Sequence, residues 1–225
     1  MRRRLRPGAL AAALLLAAAP PAAAQAPDPV AVVEEISDPS VGIEPFEFLL
    51  EGRVIALSAG TVAVIGYLQS CVRETVTAGT ILVGERQSQV SGGTVEREKV
   101  QCDGGRLILT RAQARASGVV AFRDTAQSLF PKPEVTLYGT TPAIELPGPG
   151  HLVIERLDRR APRLEIDVTA ADLVHGRMCD LAGRGWRLAP GGIYAAEFGG
   201  RRLTFQIAPS ALDGTTALIG RLLAL

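Results

Sequence analysis

Three cysteines and two histidines make up this chain's supply of thiol and imidazole, and only His175 and Cys179, in "HGRMC", lie close together in sequence. Such a pair would do acyl transfer, with the imidazole drawing the proton from a thiol nucleophile. A four-residue spacing would put both groups on one helix face, but the intervening Gly176 argues against a helix. The segment therefore reads as a loop histidine followed by a buried or half-buried cysteine. A serine triad would have to use His151 or His175, and no G-x-S-x-G elbow accompanies either. No phosphate-cradling glycine loop follows a strand pattern. The acidic pairs Glu34-Glu35 and Glu96/Glu98 read as solvated faces, because acid–base carboxylates need burial and convergent placement. Trp186 reads as a core anchor rather than a sugar-stacking platform. Cys71 and Cys102 form no C-x-x-C and have no histidine nearby in sequence, which argues against a metal or redox site. No catalytic, cofactor-binding or metal-ligating residue is assigned, and no cofactor is implied.

The first residues set the compartment in which these groups would act. "MRRRLRPGALAAALLLAAAPPAAAQA" runs from basic to apolar to small residues, the layout of a secretory signal peptide over 1–26. Its apolar core is shorter than the roughly 20 residues that span a bilayer, which favours cleavage. No later segment is long and apolar enough to cross a membrane, so a periplasmic or secreted protein is expected. The segment holds four arginines and no acid, so the remaining 199 residues carry three more acids than bases. Their basic residues are scattered, which argues against nucleic acid as a partner. All three cysteines lie in the exported part, where a disulfide is the default for any two that meet. Cys71 and Cys102 each end an expected strand of the same unit, so they are the expected bridge. Finding Cys102 joined to Cys179, or free, would overturn that pairing.

The elements that would position these residues are strands. From Glu51 to Thr110 short apolar runs alternate with glycine and polar turns at spacings of about 8 to 12 residues, the pattern of an antiparallel all-β unit. Thr61 to Leu68 is apolar at nearly every position and should be central. In Thr94 to Val100, Val95, Arg97 and Lys99 share one face while Glu96, Glu98 and Val100 share the other, which predicts an exposed or edge strand. "VQCDGGRLILT" reads as a hairpin turn, with Asp103-Gly104-Gly105 supplying positive-φ positions. Residues 110–117, "TRAQARAS", are the best candidate for a short helix. The prolines at 131, 133, 142, 147 and 149 suggest a connection over 129–150. Beyond it, Leu164, Ile166 and Val168 alternate with Glu165 and Asp167, as do Leu203, Phe205 and Ile207 with their polar neighbours, so a β-sandwich is expected over 151–225. The expected fold is all-β, with two small β domains after the signal peptide: an N-terminal extension over 27–50, a first domain over 51–128, the linker and the sandwich.

The first unit resembles the periplasmic FecR-like β domain on "EGRVIALSAGTVAVI", "TVTAGTILVGERQS" and "CDGGRLILTRAQARAS". The chain departs from that family in lacking an acid before the "ILVGERQ" turn, in adding Cys71 and Cys102, and in lacking an anchoring transmembrane helix. The second unit is similar to fibronectin- or immunoglobulin-like modules on "GWRLAPGGIYAAEF". Leu188, Pro190, Gly191 and Tyr194 carry that match, and it implies that the tyrosine closes a sandwich corner. The resemblance implies a non-catalytic binding or scaffolding module of the cell envelope whose partner is an envelope protein or cell-wall component. Two other functions stay open: an envelope hydrolase or transpeptidase using Cys179 and His175, and an extracytoplasmic sensor working with a membrane signalling protein. Exported transpeptidases of the first kind carry an S-x-G-C downstream of their H-G, and nothing here matches it.

Overall fold

A computed structural model describes residues 27–104, 131–213 and 216–225, and these are all-β. The expected signal segment, the short helix over 110–117 and the strand expected after Gly105 lie outside the described residues.

Six strands form the N-terminal sheet: β1 (Ala31–Ile36), β2 (Phe48–Leu49), β3 (Val54–Tyr67), β4 (Val72–Leu82), β5 (Gln89–Ser91) and β6 (Thr94–Lys99). Their order is β2-β1-β3-β4-β5, with β6 also paired to β4, and every pairing is antiparallel. As the apolar run predicts, Thr61 to Leu68 is central, lying between β1 and β4 and placing Ala63, Ile65 and Tyr67 in the core. Of the glycine turns expected between Glu51 and Thr110, those at Ser58-Ala59-Gly60 and Ala78-Gly79 do not end strands. They bend β3 and β4 in step, with a register shift between Leu57 and Val62 and positive φ at Gly60, Ala78 and Gly79. A bulge of this kind lets a long hairpin curl over its own core without losing its pairing. Residues 27–50, read as an extension, supply β1, a strand buried on both faces: Ala31 and Val33 enter the sheet's own core, and Val32 enters a second cluster behind it.

Nine strands follow: β7 (Val135–Gly139), β8 (Ala143–Glu145), β9 (Gly150–Arg156), β10 (Leu164–Val168), β11 (Leu173–Val174), β12 (Met178–Asp180), β13 (Ile193–Phe198), β14 (Arg201–Leu212) and β15 (Leu222–Ala224). They make a five-stranded sheet, β10-β9-β13-β14-β7, and a four-stranded sheet, β11-β12-β8-β15. One apolar core drawn from both sheets, including Leu137, Ile154, Ile166, Phe205, Ile144 and Leu223, fills the space between them. Two pairings, β14 with β7 and β15 with β8, are parallel. The proline-rich passage read as a connection therefore carries β7 and β8. Its prolines fall before, between and after these strands, where no ladder hydrogen bond is lost.

A third apolar cluster joins sheet to sandwich. Val32 and Leu68 meet Ala143, Met178, Leu218, Ile219 and Leu222, with Phe46, Phe48, Val100 and Cys102 packed around them. Gly66 permits the approach, since a Cβ there would lie 2.5 Å from Ile219 Cγ2 and 2.6 Å from Glu34 Oε1.

Candidate functional site

His175 and Gly176, at φ 52° and 69°, are the central residues of the turn between β11 and β12, closed by the Arg177 N–H on the Val174 carbonyl at 3.2 Å. Asn, Asp, His and glycine tolerate this left-handed backbone best, and paired positive φ values match the twist of a tight hairpin. The turn sends the two reactive groups to different places. Cys179, opposite Leu173, is fully buried in the sandwich core. Burial pushes its thiol up, away from the thiolate form that attacks. His175 instead reaches the N-terminal sheet's 44–46 loop, donating from Nε2 to the Pro45 carbonyl at 2.8 Å while Nδ1 lies 3.3 Å from Glu44 Oε2. His175 and Cys179 are thus drawn into separate packing roles. His151, the other imidazole, pairs with Asp167 at 2.8 Å on the exposed face of the five-stranded sheet.

A buried carboxylate anchors a polar cluster in the N-terminal sheet. Glu74 has no exposed side-chain surface; it accepts the Ser88 backbone N–H at 3.0 Å and the Arg97 guanidinium at 2.7 Å. Arg97 also donates to the Ser88 carbonyl at 2.8 Å, and the Tyr67 and Ser88 hydroxyls share a bond of 2.7 Å. Burial pushes the Tyr67 phenol up to about 12, a shift that the Ser88 bond partly offsets and Glu74 reinforces. Glu74 and Ser88 are buried while the Arg97 guanidinium covers them from the solvent side, so the network's chemistry is positional: it ties the loop after β4, whose tip Glu85-Arg86-Gln87 is exposed, to the sheet beneath. Sequence reading missed this cluster. The signal was present in "CVRETVTAG", where Glu74 occupies the apolar phase of Val72 and Val76, and in Arg97, which shares a face with Val95.

The Cys71 and Cys102 sulfurs lie 2.06 Å apart, a disulfide-bonding distance, with Cα atoms at 5.6 Å, so the expected pair is brought together and Cys179 is left free. The expectation for the glycines beside Cys102 needs correction at Gly104, which does not take positive φ. It is small for another reason, because a Cβ there would lie 2.0 Å from the Leu68 carbonyl oxygen.

The paired carboxylates part company. Glu35, Glu96 and Glu98 are exposed as read, but Glu34 keeps only 7% of its side chain exposed and pairs with Arg73 at 2.8 Å. The cause is a bulge between Val33 and Glu35, which turns Glu34 toward the junction, where it also accepts the Ile219 N–H at 3.5 Å. One row across the sheet runs Glu35, Val64, Thr75, Glu96, and beside it Arg73 reaches Glu98 at 2.9 Å. Residues 27–104 hold twelve carboxylates against five basic side chains, so this is the acidic end of the molecule.

In the sandwich, the Tyr194 hydroxyl accepts the Ala189 N–H at 2.9 Å and returns a bond to the Ala189 carbonyl at 3.3 Å, closing the corner after Leu188. Arg156 lies over the Tyr194 ring and grips Asp158 through two bonds of 2.8 and 2.9 Å. Those bonds hold the Asp158 carboxyl down at about 2, with the Ile193 N–H adding to the effect. Trp186 packs against the sandwich core with the Arg184 guanidinium 5.2 Å above its ring, so that ring face is occupied. Among the described residues no three His, Cys, Asp or Glu side chains converge as a metal site, and no helix is long and apolar enough to cross a membrane. No family model matches the chain, and no curated protein or solved structure shows significant similarity to it.

Proposed function

We propose that this chain is an exported, non-catalytic module of the cell envelope, with a FecR-like N-terminal sheet and a C-terminal sandwich, that binds or scaffolds an envelope protein or cell-wall component. The destination of its reactive side chains supports this reading. Arg97 clamps the buried Glu74, Ser88 and Tyr67 into one network, His175 docks one hairpin on a neighbouring loop, and the Cys179 thiol is enclosed by apolar side chains. A frame so fixed leaves its outer faces for recognition. The acidic row on the N-terminal sheet suits an amine-bearing partner, because complementary charge speeds encounter and sets orientation.

Co-sedimentation with purified peptidoglycan sacculi, alongside cross-linking to periplasmic proteins, tests the reading. Retention that salt weakens and that Glu35→Lys with Glu96→Lys reduces at least fivefold is the expected result. Recovery of neither cell-wall material nor a protein partner would count against it.

A further inference from the structure

The stretch Val100 to Gly104 sits between the two halves of the molecule and touches both. On one side it is held to the turn between β3 and β4: Cys102 meets Cys71 at bonding distance, the Val100 N–H donates to the Cys71 carbonyl at 3.0 Å, and Gly104 is pressed against the Leu68 carbonyl. On the other side it seats the sandwich. Asp103 Oδ2 accepts the Thr136 N–H of β7 at 2.7 Å, and Gly220 lies so close to the Gln101 carbonyl that a Cβ there would come within 2.6 Å. Val100 and Cys102 pack on the apolar cluster that contains Leu218, Ile219 and Leu222. Both cysteines are only half-buried.

From this placement we propose that the Cys71–Cys102 bond is a redox-sensitive clasp: oxidised, it holds the 100–104 segment as the seat on which the sandwich docks, and reduced, it lets the seat and sandwich loosen from the N-terminal sheet. The reaction needs a dithiol as co-reactant. The protein S–S bond breaks as one forms in the reagent, and two electrons and two protons pass to Cys71 and Cys102. Cys71 favours release, since its backbone is held at φ 53° in the left-handed region, a conformation costly for a residue with a Cβ. Junction contacts that do not run through the segment limit the motion to loosening, among them Ile219 on Gly66 and its N–H on Glu34, His175 on Pro45, and the Arg177 guanidinium over the Phe48 ring.

Residue-level hydrogen exchange on the full chain, oxidised and then treated with a dithiol under native conditions, tests the clasp. The Thr136 and Ile219 amides should exchange at least fivefold faster after reduction, while Ile154 and Ile166, in β9 and β10 at the far edge of the sandwich, change by less than twofold. In the oxidised chain Gly220→Ala should speed exchange at the same two junction amides, since its Cβ displaces the seat with the bond intact. A smaller change at Thr136 and Ile219 on reduction, equal acceleration at Ile154 and Ile166, or no effect of Gly220→Ala would overturn the proposal.

Discussion

Two groups, the Ser88 N–H and the Arg97 guanidinium, depend on the Glu74 carboxylate, which water does not reach. Glu74→Ala would strand the Arg97 guanidinium and the Ser88 N–H, a loss of about 3 kcal/mol readable in urea denaturation. Tyr67 makes the same cluster sensitive to alkali. The phenol ionises near pH 10 when unfolded and only at about 12 when folded, so between those values the native chain holds a proton that the unfolded chain has lost. Stability is therefore unaffected below pH 10 and falls as pH climbs toward 12, and Tyr67→Phe should flatten that decline. Asp158 acts on the acid side with the opposite sign. Its carboxyl is held down at about 2, so its contribution is present above roughly pH 4 and drains away as pH falls toward 2. Asp158→Asn should remove that acid dependence in pH-dependent melting. At this scale the sequence was readable where the signal was type and order, as with Cys71 and Cys102 or the corner tyrosine. It was opaque where the signal was phase, since a charged residue in an apolar phase is recognised only once the facing strand is known.

Strands were more legible than their limits. Alternation in 164–168 and 203–207 and the apolar run at 61–68 each became a strand with the expected buried side. Glycines were read too simply as ends, because Gly60 and Gly79 mark bends inside paired strands and only the partner strand reveals that continuity. Prolines misled in a similar way: β7 and β8 are short enough to fit between them. The weight carried by such short strands can be measured. Leu223, 1% exposed in β15, reaches the centre of the sandwich, so Leu223→Ala should cost about 2 to 5 kcal/mol. Val54, 60% exposed at the open end of the β3–β4 hairpin, should tolerate Val54→Thr within about 0.5 kcal/mol. Chemical denaturation of the two variants side by side checks the contrast.

Across the whole molecule, sheet and sandwich are fastened by apolar packing, by the Glu34–Ile219 and Asp103–Thr136 bonds, and by the His175 turn. Heating the oxidised chain should therefore give one calorimetric transition, with calorimetric and van't Hoff enthalpies in agreement. Gly66→Val, which drives a side chain into Ile219, should split that transition or broaden it. No sequence pattern announced this junction, because its contacts join residues far apart in the chain, apolar side chains and a few polar ones that no motif or spacing links. The parallel pairing of β15 with β8 has a consequence in time. Leu223 must find Ile144 before the four-stranded sheet is complete, so the sandwich core cannot close while its last strand is still unmade. The sandwich core thus closes over a separation of about 79 residues of chain, which makes its completion a slow, late step of folding.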